Sequence, residues 1–178
     1  MIEELKFYIL SLISGVPQFV YEGLLSVFVI GAVILFFSKW RKSGKDIALL
    51  LLIEYLFLLY SSTVFLREDW GVIRCELIPF WSYSRPDLIV ENIMNVVVFI
   101  PIGFLLGLCF NKQKCWSILL MGAGISLSIE VLQLFLRRGY SELDDVMHNT
   151  LGCLIGYGLY FIIRIAYEKI SKRRVAVL

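Results

Sequence analysis

The stretch SELDDVMHNTLGCLIGYGLYFIIRI, residues 141–165, joins two kinds of chemistry end to end. It opens with Glu142, Asp144, Asp145, His148 and Asn149, then turns into an apolar run. About 18 consecutive, mainly apolar residues are enough for a membrane-spanning helix. Runs of this kind recur at residues 19–37, 47–66, 93–110, 116–136 and 146–165. The chain of 178 residues is 59% hydrophobic and 18% charged, with a mean hydropathy of +0.80. A soluble domain usually carries about a quarter charged residues. The expected fold class is therefore an all-α integral membrane protein of about five transmembrane helices.

The organisation expected outside these runs is simple. Residues 1–18 read as an interfacial N-terminal segment, cut off from the first span by Pro17. Residues 19–167 form a single transmembrane helical domain, and residues 168–178 a basic cytoplasmic tail. The opening MIEELKFYILSLISG has two acids against Lys6, so a cleaved signal peptide is not expected. Cys75, Cys109, Cys115 and Cys153 form no CxxC pair and His148 is the one histidine, which argues against a zinc site. No metal or other cofactor is expected.

Orientation follows from lysine and arginine in the short loops. Lys39, Arg41, Lys42 and Lys45 follow the first run, and Lys112 and Lys114 follow the third. Arg164, Lys169, Lys172, Arg173 and Arg174 close the chain. These regions alternate onto one side, predicting an outer N-terminus, an inner C-terminus and outward loops at 67–92 and 137–145. The basic residues are explained by orientation, so nucleic-acid binding has little support. The loop at 67–92 concentrates Trp70, Phe80, Trp81 and Tyr83, and its Pro79 and Pro86 oppose a continuous helix. It reads as a segment on the outer headgroup layer.

Ionisable and amide side chains inside spans are costly to insert and point to function by default. Glu130 lies roughly 9 Å inside the outer end of its span at the helical rise. Ser126, Glu130, Gln133 and Arg137 recur at intervals of four, three and four, which places them on one stripe. Asp145, Asn149, Gly152 and Gly156 form a second stripe, and Asn92, Asn95, Phe99, Gly103 and Gly107 a third. Gly103-x-x-x-Gly107 and Gly152-x-x-x-Gly156 let helix backbones approach closely, so the polar ends would meet above a tight seam. Pro101 should kink its helix and free the carbonyl of Val97. Structural alternatives stand beside these readings. Ser141-x-x-Asp144 resembles a capping box, and Arg137, Arg138 and Gly139 a helix C-terminus with glycine as cap. We assign Asp144 to the cap and Asp145 to the pocket. Glu130 has no capping role to explain it, although an interhelical hydrogen bond would. His148, alone beside Asp145 and Asn149, reads as an interfacial or packed side chain ahead of a metal ligand. Glu54, deeper toward the inner half, either pairs with another helix or marks a proton path, and Glu22 is interfacial.

Together these pieces carry a resemblance. N-x-x-x-F-I-P-x-G-F-L-L from Asn95 to Leu106, S-x-x-x-E-x-x-Q from Ser126 to Gln133 and D-D-V-x-x-N-T-x-G-x-x-x-G from Asp144 to Gly156 resemble the VanZ-like family. L-x-P-F at Leu77–Phe80 and Arg67 at the end of the second span fit as well. The sequence departs at Glu76, where the family commonly has asparagine. The resemblance implies a Gram-positive cell membrane and a theme of resistance to teicoplanin, a lipid-tailed glycopeptide, without implying a reaction.

The residues expected to bind a ligand are Arg67, Asn92, Asn95, Glu130, Gln133, Arg137, Asp145 and Asn149. The expected function is an outward polar pocket for a lipid-tailed ligand, either a lipoglycopeptide or a lipid-linked wall precursor. The partners are membrane lipids and such ligands. The alternative is an intramembrane hydrolase or transferase with Glu130 and Asp145 as base and acid. No GxSxG or phosphate loop accompanies them. A transporter or flippase ranks third, for which a homo-oligomer would supply further helices.

Overall fold

The computed structural model describes residues 44–110 and 113–177. The expected run at 19–37, the segment 1–18 and Glu22 lie outside the described residues. Helix α1 covers Gly44–Tyr60 and widens into a π turn at Ser61–Phe65. A two-residue strand β1, Cys75–Glu76, follows in the segment 66–88, with 3-10 turns at Trp81–Ser84 and Pro86–Leu88. Then come α2 (Ile89–Cys109), α3 (Cys115–Leu136), β2 (Ser141–Glu142) and α4 (Leu143–Val177). Four segments are long and apolar enough to cross a membrane: Gly44–Phe65, Pro86–Cys109, Cys115–Leu136 and Leu143–Lys172. The protein is an all-α membrane protein. Phe57, Leu120, Phe135 and Ile162 point outward from these helices, as lipid-facing side chains do.

The helices begin ahead of their apolar runs. An apolar run marks where lipid contact starts, whereas Glu91, Asn92, Asp144 and Asp145 belong to helical turns whose polar groups meet one another. At its other end α4 continues well past residue 165. Arg164 Nε donates to Glu168 Oε1 one turn on, at 2.9 Å. The 35-residue helix is about 52 Å long at 1.5 Å per residue, so it outreaches a hydrocarbon core of about 30 Å.

The tightest packing joins α2 to α4. A Cβ on Gly152 would lie 2.0 Å from the Val96 carbonyl oxygen, and one on Gly156 would lie 1.9 Å from that of Ile100. A Cβ on Gly103 would lie 1.8 Å from the Cys153 oxygen. Backbone rests on backbone here, as small residues permit where no hydrophobic effect pulls helices together. Gly107 differs from the expectation, because it faces the ring of Tyr160. Cys153 is fully buried where α3 joins the seam, beside Gly122.

Helix α2 runs unbroken through Pro101. Val97 is exposed, and it is the neighbouring Val98 carbonyl that accepts the Tyr55 hydroxyl, at 2.8 Å. A correction concerns the end of α3. The left-handed cap is Arg137, with φ 57, and not Gly139. The Arg137 N–H reaches the carbonyls of Gln133 and Leu134, and the Arg138 N–H reaches Gln133. The Arg138 side chain crosses to the carbonyl of Phe65 at the end of the π turn.

The segments 66–88 and 137–142 share one end of the helices. Strands β1 and β2 pair in parallel, Cys75 opposite Ser141 and Glu76 opposite Glu142. Trp70 N–H donates to the Arg137 carbonyl at 2.9 Å and Ser141 N–H to that of Arg74 at 3.1 Å. So small a sheet gains little alone, but it fixes the longer segment over the ends of all four helices.

Candidate functional site

Beneath that cover lies a cavity of about 790 Å³, within the usual range for small-molecule sites. All four helices and both covering segments contribute to it. Its inner surface carries Asn95 from α2, Glu130 and Gln133 from α3, and Asp145 and Asn149 from α4. Glu130, Gln133 and Asn149 are buried, while Asn95 and Asp145 are half-buried. Arg67 enters from the end of the π turn and packs over Gly139. Of the side chains singled out from the sequence, these six line the cavity. The other two stand elsewhere. Asn92 donates to Ser82 Oγ at 3.1 Å, and Arg137 is the exposed cap of α3.

The hydrogen bonds show how the floor is set. Asn95 Nδ2 donates to Asp145 Oδ1 at 2.6 Å, tying α2 to α4. Glu142 N–H donates to Glu130 Oε2 at 3.0 Å, tying the start of α4 to α3. Asn149 Nδ2 donates to Ser126 Oγ at 2.8 Å, and Gln133 Nε2 to the Thr63 carbonyl at 3.0 Å. The last bond needs the π turn, whose wider spacing turns a backbone carbonyl toward a neighbouring helix.

Asp144 does not act as a cap. It is buried, and its Oδ1 accepts Phe80 N–H at 2.6 Å. Its Oδ2 accepts Ser82 N–H at 2.8 Å and Ser82 Oγ–H at 2.6 Å. It fastens the covering segment to α4 where Phe80 is left-handed, with φ 63. Ser141 belongs to β2 instead of an N-cap. His148 is packed, stacked on Tyr83 with Nε2 at 3.1 Å from its hydroxyl. Among the described residues no group of three His, Cys, Asp or Glu side chains has metal-holding geometry.

The mouth of the cavity carries side chains that sequence reading did not select. Arg74 lies over Trp70 at 5.1 Å and Arg85 over Trp81 at 5.5 Å, both guanidinium groups being exposed. Tyr140, Glu91 and Glu142 add to the polar lining. On one side α1 and α2 supply a mainly apolar wall of Leu58, Leu59, Met94, Val98 and Phe99. The composition of 66–88 hinted at the aromatics. Nothing local could place the arginines, because the fastening by Asp144 and the pairing of β1 with β2 are long-range.

Burial pushes the Glu142 carboxyl up to about 7, aided by Glu91, Asp144 and Glu76 and opposed by Arg85. Its unfolded value is 4.5. The unfolded chain therefore releases this proton first, and the group's contribution to stability falls as pH rises from 4.5 to about 7. Glu142→Gln should remove that decline. Unfolding midpoints measured across this window should diverge in favour of the variant as pH rises.

Fold and cavity together define a class: helical membrane proteins with a large cavity, part polar and part apolar, under a fastened cover at one end of the helices. The family model VanZ/LLP1 matches residues 24–164. The chain belongs to the VanZ/LLP1 family. It is 34% identical over 70 residues to a protein named Protein VanZ from Enterococcus faecium, covering 39% of this chain and 44% of that one. The match thus spans less than half of that relative's length. No solved structure matches.

Proposed function

We propose that this is a multi-pass cell-membrane protein whose cavity binds the polar head of a lipid-tailed ligand at the outer leaflet. The ligand class is a lipoglycopeptide such as teicoplanin or a lipid-linked wall precursor, and the role is glycopeptide tolerance or envelope homeostasis. The observation that carries this reading is the cavity itself. It pairs charged and amide side chains with the apolar wall from α1 and α2, within helices that suit a bilayer. The distribution of lysine and arginine supports an outward mouth, since Lys114, Lys169 and Lys172 lie at the opposite helix ends. The cavity's position at one end of the helices supports binding ahead of transport.

Glu130→Gln tests this reading. At equal protein abundance, cells carrying the wild-type chain should hold more teicoplanin at this protein, and tolerate more of it, than cells carrying the variant. Equal susceptibility and equal surface binding would remove the lipoglycopeptide from the account. Glu130 and Asp145 sharing one cavity also favour a second reading, acid–base cleavage of a lipid-linked substrate. A product that forms from a polyprenyl-linked precursor and is lost in Asp145→Asn would select it.

A further inference from the structure

The cavity's polar groups are sorted by charge and depth. Exposed Arg74 and Arg85 stand at the mouth, each against a tryptophan. The floor holds Glu130 at 4% exposure and Asn149 at 5%, with Asp145 beside them. Asn149 supplies an independent observation. Its Nδ2 is bound to Ser126, but its buried Oδ1 has no hydrogen-bond partner among the described residues. An unmatched acceptor at this depth is costly, and Asn149 lines the cavity together with Glu130 and Asp145. Glu130, Glu142 and Glu91 all act electrostatically on Asp145. Arg67 opposes them more weakly, so negative charge outweighs positive charge around Asp145.

We infer that the cavity takes a head group bearing both a phosphate and a primary ammonium, the phosphate at Arg74 and Arg85 and the ammonium at Asn149 Oδ1, Glu130 and Asp145. An ammonium has three donors and no acceptor. It would satisfy Asn149 and relieve the repulsion between the carboxylates. A purely anionic head would place oxygen against oxygen at the floor. Arginine suits the outer group, because guanidinium forks match phosphate geometry; Arg85 already holds Asp87 through Nε at 3.0 Å and a terminal nitrogen at 2.8 Å, an exposed pair that the phosphate would displace. This rests on the ligand-binding reading above and narrows its ligand. The same chemistry occurs in an aminophospholipid and in a lipid-linked precursor whose peptide has a free amine.

The test titrates the purified full chain with short-chain phosphatidylethanolamine, its N-acetylated form and phosphatidylglycerol. The same comparison is made with a lipid-linked precursor, amine free or acetylated. Binding of at least one free-amine ligand should be saturable and about tenfold tighter than its amine-blocked counterpart. Which of the two shows the preference identifies the source. Asp145→Asn should abolish the preference while keeping the wild-type unfolding midpoint, and Arg74→Ala with Arg85→Ala should weaken all phosphate-bearing ligands together. Equal binding of free and acetylated amines in both series overturns the inference and leaves the ligand-binding reading intact. If nothing binds, teicoplanin included, both fall. The ligand comparison uses the wild-type chain, so it stands even if a variant fails to fold.

Discussion

Gly156→Leu is expected to leave no correctly folded chain in the membrane. The first added carbon would lie 1.9 Å from the Ile100 oxygen, 2.9 Å from its carbon and 2.9 Å from Phe104 N. Every atom in the way is backbone within a helix, so none can step aside as a side chain would. Overpacking against movable side chains costs roughly 1–3 kcal/mol, and this contact should exceed it. Relief requires α2 and α4 to separate. That opens the seam at Gly103 and Gly152 as well, and pulls Asn95 away from Asp145. Gly156→Ala should already lower the unfolding midpoint strongly. Gly124, with no atom within 4 Å of a built Cβ, is the control, and Gly124→Ala should melt at or above wild type. Abundance and melting of the purified variants check both statements. Normal melting of Gly156→Ala would mean that the two helices are not packed backbone to backbone.

The second large effect is expected at Asp144. Its carboxylate accepts three hydrogen bonds, all from Phe80 and Ser82. Removing a buried charged acceptor leaves its donors unmatched, at a cost on the order of 3 kcal/mol. Because those donors all belong to one segment, Asp144→Ala should detach that segment locally instead of unfolding the helices. Asn92, which bonds Ser82 Oγ, would lose its partner too. Limited proteolysis reads this directly. Trypsin should cut after Arg74 much faster in the variant, while the helices keep their circular dichroism; the bond after Arg85 resists trypsin in either case because Pro86 follows it. Asp144→Asn should fall between, since one amide oxygen remains to accept. Unchanged proteolysis would show that the cover is held without Asp144, by contacts such as the β1–β2 pairing and the Tyr83–His148 stack. With the cover released, Arg74, Arg85, Trp70 and Trp81 would leave the cavity, so ligand binding should fail as well.

Asp144 also shows what a sequence can and cannot reveal here. Acids beginning a helix behind a serine look alike whether they cap that helix or hold a segment more than sixty residues away. The helices themselves were legible, because lipid imposes long apolar runs and lysine and arginine mark their ends. The approach of α2 to α4 was legible at Gly103, Gly152 and Gly156, where only hydrogen fits. Gly107 looked the same in the pattern and meets Tyr160, since spacing gives the face but not the partner. Glu130, Asn95 and Asp145 come to one cavity because helical periodicity reaches across a few turns. Arg137 left its stripe when the chain turned left-handed one residue beyond α3. The π turn, the β1–β2 pair and the arginines at the mouth depend on contacts between distant segments, which no local pattern carries.

The central claim is that the head of a lipid-tailed ligand sits inside this cavity. Photo-crosslinking tests it most directly, using the reconstituted full chain with a lipid-linked wall precursor and a teicoplanin analogue, each carrying a diazirine in its head group. The account predicts adducts from at least one probe on peptides containing Trp70, Trp81 or Asp145, diminished by Glu130→Gln. Adducts confined to outward residues such as Phe57, Leu120 and Ile162, and indifferent to Glu130→Gln, would contradict it.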